Sequence, residues 1–187
     1  MKIINSLSII LLLNSFIISA QENKLDIQNS NLKWTGTKIT NSSHYGSINF
    51  KSGTIVFSEG LIESGEFIVD MTSINVEDIQ DGGKEKLEGH LRSDDFFSVE
   101  KFNFASLVIN SSVKTKQGLK VFGDLNIKGI SSPVEFDMKK NAAGWATYLT
   151  FDRSKYNVRY GSGSFFDNLG DKLILDEIEL EGILSFK

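Results

Sequence analysis

The chain has no cysteine. Disulfides and thiolate metal sites are both closed to it, so its stability has to come from packing. Histidine is nearly as scarce. His44 and His90 are the only two, too few for a three-histidine zinc site and without the paired spacing of a metal-binding helix. No excess of positive charge exists either: twenty Lys and Arg stand against twenty-four Asp and Glu, for a net charge of -4. A protein that grips nucleic acid wants a basic face for the phosphates. There is no G-x-S-x-G elbow, and nothing favours a Ser–His–Asp arrangement. The acidic run "EDIQDGGKEKLE" fails as a calcium loop, because with Asp81 fifth the third position is Ile79, which has no side-chain oxygen. Nucleic acid, thiol chemistry and metal are thereby set aside, and no cofactor is implied.

The one long apolar run stands at the start. Lys2 precedes Ile3 to Ile18, mostly Ile, Leu and Phe, and Ser19-Ala20 supplies small residues before Gln21. That order is the order of a secretory signal peptide cleaved after Ala20. Asn5 and Asn14 interrupt the run, which is also short for a membrane span of about 20 apolar residues. The expected organisation is a signal peptide over residues 1–20 and a single soluble domain over 21–187, periplasmic or secreted. No membrane span is expected after cleavage.

Period-two alternation dominates the rest. Ile48 and Phe50 oppose Asn49 and Lys51; Phe67, Val69 and Met71 oppose Glu66 and Asp70. Leu119, Val121, Leu125 and Ile127 alternate with Lys120, Asp124, Asn126 and Lys128, and Ile178, Leu180, Leu184 and Phe186 with Glu177, Glu179 and Glu181. Such spacing predicts strands with one buried and one wet face. Further strands are expected at Lys33–Lys38, Thr54–Ser58, Phe102–Asn110, Pro133–Met138 and Trp145–Phe151, with turns at Gly53, Glu59-Gly60, Ser64-Gly65, Gln117-Gly118 and Asn141 to Gly144. One segment departs from this rhythm. Leu87 and Leu91, four apart among charges, predict a short helix ending near Ser93-Asp94.

The expected fold is all-β, about eight or nine antiparallel strands with one short helix, closed as a barrel or stacked as a sandwich. A barrel of about eight strands can hold one small ligand, and strands of about seven residues at ~3.3 Å each would line a cavity up to ~23 Å deep. Fourteen Phe suit an apolar guest. They equally suit a barrel filled by its own side chains, and the pattern leaves both open.

The motifs add a resemblance. "LKWTGTKITNSSHYGSINFKSGTIVF", "FIVDMTSINVED", "LEGHLRSDDFFSVEKFNFASL", "VFGDLNIKGISSPVEF", "FDRSKYNVRYGSGSFFDNLGD" and "LGDKLILDEIELE" resemble, in order, the segments of YceI-like proteins. The likeness runs from about Leu32 to Phe186, with departures at Ser98 and Asn103, where that family carries aspartate and proline. It implies a lipocalin-like antiparallel β-barrel, exported to the periplasm, that encloses a long isoprenoid lipid of polyprenyl or isoprenoid-quinone type for sequestration or transport. It also implies pairing as homodimers; the scarcity of histidine and the apolar inward faces argue against catalysis.

On that reading the apolar lining is expected to comprise Trp34, Ile48, Phe50, Ile55, Phe57, Phe67, Val69, Met71, Phe104, Leu125, Phe136, Leu149, Ile178 and Leu180. Plain core is the alternative for each. Burial gives about 0.8 kcal/mol per CH₂ of tail, while a polar head has to stay wet or paired. The segment Phe151 to Asp171 gathers Arg153, Lys155 and Arg159 with Tyr156 and Tyr160. The arginines suit a diphosphate head and the tyrosines a cap over the tail; the alternative is a solvated loop whose charges pair with Asp152, Asp167 and Asp171. His44, at a strand entrance, is a candidate hydrogen-bonding group at the mouth, and His90 on the helix is expected to be packed. Two other functions stay open: a lipid-modifying enzyme, and a solid barrel acting as a structural or interaction protein.

Overall fold

The structure is a computed structural model and describes residues 21–187. The expected signal peptide, residues 1–20, lies outside the described residues. The elements are β1 (Gln21–Lys24), β2 (Asn31–Lys38), β3 (Ser43–Ser58), β4 (Leu61–Val76), α1 (Gly82–Arg92), β5 (Phe104–Lys114), β6 (Leu119–Ile127), β7 (Ile130–Asn141), β8 (Gly144–Asp152) and β9 (Ile174–Leu184). Strands β2 to β9 pair in chain order, every pair antiparallel, and β2 pairs with β9 to close eight strands into a barrel. Closure removes the sheet edges that would otherwise invite pairing with other chains. Strand β1 lies outside this ring, on the far half of β3.

Two expected turns are instead the middles of long strands. β3 and β4 each run for 16 residues, and Gly53 and Gly65 lie inside them, at Gly53↔Phe67 and Ile55↔Gly65. Gly53 is there for close approach. A Cβ on it would stand 2.6 Å from the Phe67 ring and 3.0 Å from Leu25. The β3–β4 register shifts between Ser47 and Asn49, where four residues of β4 stand against one of β3, and between Phe50 and Ser52, where Lys51 is extra and resets the alternation of β3. Ile48 and Phe50 face inward above Lys51, and Ile55 and Phe57 below it.

The end where β2 finishes and β3 begins is the top. Here α1 lies across the opening. An 11-residue helix is marginal on its own, and its docking holds it. Glu88 accepts the Val76 N–H at 2.9 Å, and the Arg92 guanidinium donates to the Ile74 carbonyl. Its Leu87, His90 and Leu91, at i, i+3 and i+4, turn one face into the barrel.

The bottom is shut by aromatics. Phe57 stacks on Trp145 at 5.2 Å, and Phe186 meets Phe57 and Phe67 edge-on at 6.2 and 6.3 Å. Beneath them Lys24 and Lys187 exchange two backbone hydrogen bonds, at 3.2 and 2.8 Å.

Strands β7 and β8 pair only from Asp137↔Tyr148 downward. Pro133, which has no N–H to give, sits in the stretch of β7 that β8 does not pair. That gap is filled by a 3-10 turn, Arg153–Tyr156. Its Tyr156 is 1% exposed and packs edge-on against Phe151 at 5.7 Å.

Candidate functional site: an apolar cavity with a polar mouth

Inside the barrel is a cavity of about 200 Å³ whose wall is almost wholly apolar. Hydrocarbon-lined cavities of about 150 Å³ stay dry and take up a benzene-sized guest, so the interior is hollow, though narrow. Trp34, Ile48, Phe50, Phe67, Val69 and Met71 line it from β2, β3 and β4; Leu125, Phe136, Leu149, Ile178 and Leu180 line it from β6 to β9. Alternation dictates this. Each faces the core once its outward neighbours face water.

Six expected site residues lie elsewhere. Ile55, fully buried, and Phe57 belong to the closed floor below the cavity. Phe104 points outward, 39% exposed, with the Lys51 ammonium 3.5 Å above its ring. In β5 the inward positions are Ala105, Leu107 and Ile109, so Phe104 has the opposite parity. Tyr156 plugs the β7–β8 gap, where burial pushes its phenol pKa up, against a hydrogen bond to Ser132. Arg159 is exposed and lies over the Phe165 ring at 4.6 Å.

Arg153 is fully buried. Its guanidinium donates to the carbonyls of Leu175, Val158, Tyr160 and Ile174 at 3.2, 3.0, 2.9 and 3.1 Å and pairs with Asp176 at 3.2 Å. Burial lowers its pKa, while Asp176 and Asp152 oppose that shift. Four carbonyls take its hydrogen bonds and Asp176 pairs with its charge, so the buried guanidinium is committed to the protein and not offered to a head group. This arginine fastens the loop after β8 to the start of β9.

The polar groups that do line the cavity are Thr37, Lys38, His44 and His90, near its top, and Ser106 and Thr147 along the wall. His44 Nδ1 lies 2.7 Å from Asp78 Oδ2, and Asp78 also accepts the Tyr45 N–H at 3.0 Å. Burial works against the charge on Asp78, but the His44 and Tyr45 hydrogen bonds outweigh it and hold the carboxyl below the usual range. An ionised Asp78 can only accept, so neutral His44 carries its proton on Nδ1 and Nε2 is the hydrogen-bond acceptor. His90 packs against Tyr160, ring centroids 4.3 Å apart, and its Nε2 is buried without a protein partner. Lys38 is half-buried and makes no salt bridge among the described residues.

Sequence reasoning missed Lys38 and took His90 only as packing. The i, i+3, i+4 set Leu87, His90, Leu91 was the available signal for His90; Lys38 lay at the end of a strand, where alternation says least. Among the described residues no group of three or more His, Asp or Glu is arranged to hold a metal, and no helix is long and apolar enough to cross a membrane.

Closed antiparallel barrel, apolar interior, helix over one end and polar groups gathered beneath it: these define a lipocalin-like architecture. Residues 24–186 match the YceI-like domain, and the chain belongs to that family. A UPF0312 protein of Yersinia enterocolitica is 27% identical over 129 residues, covering 67% of this chain and 65% of that protein. One from Staphylococcus aureus is 31% identical over 87 residues, covering 41% and 48%. The chain thus spans somewhat under two thirds of the first relative and about half of the second. Among solved structures, Burkholderia cenocepacia BcnA superposes with a TM-score of 0.65 at 21% identity, over 86% of this chain and 98% of that one. A polyisoprenoid binding domain from Saccharophagus degradans, implicated in plant cell wall breakdown, gives 0.58 at 14% identity, over 88% and 97%. At these identities the likeness concerns the fold.

Proposed function

We propose that this chain is an exported binding protein that encloses a long isoprenoid lipid, of polyprenyl or isoprenoid-quinone type, for sequestration or transport, and makes or breaks no bond. One observation carries the reading: a hydrocarbon-walled hollow shut at the bottom, with its polar groups collected near the top. Tail burial supplies the affinity at about 0.8 kcal/mol per CH₂. The head stays near water beside Lys38, His44 and His90. The Saccharophagus domain, described as polyisoprenoid binding, supports the choice of lipid. Export rests on the signal-peptide pattern of residues 1–20.

The test is solvent extraction of the purified protein followed by mass spectrometry, beside Ala105→Trp. Ala105 is buried on the cavity wall, so an indole there fills the hollow. A prenyl lipid near one per chain in the parent, absent from a folded Ala105→Trp, is the expected result. An empty extract, with no uptake of added prenyl lipid, rejects the reading in favour of a solid barrel.

A lipid-modifying enzyme is the second reading, and the His44–Asp78 pair favours it, since a carboxylate-oriented imidazole is the usual form of a general base. An added prenyl substrate returned chemically changed, with the change lost in His44→Ala, selects that reading.

A further inference from the structure

Between β2 and β3 the barrel wall has a stretch that no backbone hydrogen bonds between those strands hold shut. Strand β2 pairs with β3 from Thr37↔Ser43 only as far as Lys33↔Ser47. Strand β1 takes up β3 again at Lys24↔Thr54, just below the Leu25 N–H to Gly53 carbonyl bond of 2.9 Å. Between these points, residues 48–52 of β3 face no paired strand on that side. Asn31 and Leu32 of β2 pair with β9 alone. The β3–β4 register shifts at the same height, between Ser47 and Asn49 and between Phe50 and Ser52, where Lys51 is the extra residue of β3. Five residues at ~3.3 Å make a window roughly 17 Å tall.

The exposed 3-10 turn Ile27–Asn29 lies beside it against β3, and side chains complete the seal. Leu32, Ile48 and Phe50 line the internal cavity, and the same three line a groove on the outer surface. They thus face both the cavity and the groove. The matching gap between β7 and β8 differs, because Tyr156 and its 3-10 turn are packed into it. On the rim of the β2–β3 groove stand Ile27 and Phe104, exposed to 43% and 39%.

The cavity itself calls for such a place. About 200 Å³ is little more than the room a benzene-sized guest needs, so a long chain fits only if the wall gives. Where the strands are paired, widening the barrel breaks ladder hydrogen bonds, each leaving a donor and an acceptor unmet. At the seam, Leu32, Ile48 and Phe50 have only to change rotamer.

We propose that the β2–β3 seam is a side port, through which an isoprenoid chain slides into the cavity and at which the barrel widens to hold it. The port rests on the reading of the cavity as an isoprenoid site. It adds the route: tail sideways through the wall, head following to Lys38, His44 and His90.

The natural absence of cysteine makes the port directly lockable. If the β2–β3 register ran on past Lys33↔Ser47, Asn31 would face Asn49. The Asn31→Cys/Asn49→Cys variant can form a disulfide only when the two Cα atoms come within about 4.4–6.8 Å, which holds the seam shut. Uptake of solanesol, a long prenyl alcohol, from phosphatidylcholine vesicles is followed with the bridge formed and reduced, beside equilibrium binding of the short alcohol geraniol. The bridge is expected to slow solanesol uptake and release by about tenfold or more, with recovery on reduction and unchanged geraniol affinity. Leu32→Ala, which thins the wall, is expected to speed solanesol uptake. Equal solanesol rates with and without the bridge overturn the port. Should the bridge not form, an unchanged rate in Leu32→Ala overturns it. Failure of the parent to bind either alcohol overturns the isoprenoid reading itself.

Discussion

Removing the Arg153 side chain separates a fold-holding arginine from a lipid-holding one. Arg153→Ala strands four carbonyls, those of Leu175, Val158, Tyr160 and Ile174, and deprives Asp176 of its cation. The site is fully buried, so water replaces these bonds poorly. Breaking a buried charged network by one partner costs about 3–5 kcal/mol. Part of the loss is cushioned, because Ser162 and Ser164 still donate to Asp176 at 2.9 and 2.7 Å, which favours the lower end, about 3 kcal/mol. For a domain of this size each kcal/mol moves the melting temperature by about 2–4 °C, so the expected fall is roughly 6–12 °C. Urea unfolding with an unchanged m-value gives the free energy. The same variant, assayed below its melting point, should weaken geranylgeranyl diphosphate and geranylgeraniol by the same factor. A loss under about 1 kcal/mol, or a selective loss of the diphosphate, refutes the assignment.

Four further outcomes follow from the geometry. Gly46→Ala puts a Cβ 1.8 Å from the Asn75 carbonyl oxygen and 2.9 Å from the Trp34 ring; a backbone atom cannot step aside, so chemical denaturation should record a loss of about 3 kcal/mol or more. His90→Leu removes a buried imidazole nitrogen that has no protein partner and should raise the apoprotein's stability by about 1 kcal/mol in the same assay. The carboxyl of Asp78 titrates below its ordinary value in the folded chain. Its contribution is therefore complete above the unfolded pKa, near 4, and fades as pH falls through the lower folded value; in acid titrations, Asp78→Asn should show a shallower loss of stability in that window than the parent. Phe104→Ala, by contrast, takes an outward ring off the surface and should change stability by less than about 0.5 kcal/mol.

Alternation made most of the cavity wall legible before any coordinates. Phe67, Val69 and Met71, or Ile178 and Leu180, alternate without interruption and could face only one way. The same rule misled where the register was unseen: Phe104 is the large apolar residue at the start of β5, yet it is its neighbour Ala105 that faces the cavity. Gly53 read as a turn because a glycine between two apolar runs usually is one; only the Phe67 ring above it explains its presence inside a strand. Arg153 was beyond the reach of any pattern. Its partners are mostly backbone carbonyls, up to 22 residues away, and carbonyls carry no sequence signature. Lys38 went unremarked for a related reason: what singles it out is the carboxylate it lacks as a neighbour.

The meeting of Lys24 with Lys187, and of β2 with β9, sets a clock on folding. Strand β9, the last of the described strands, completes the cylinder, and the backbone bonds that fasten the floor join Lys24 to Lys187. Until that strand is available no partial ring can shut, and contacts of such long sequence separation form slowly. A barrel built this way stays open and threadable until β9 is free. Cutting off Phe186 and Lys187 should thus hold up maturation more than it weakens any local contact.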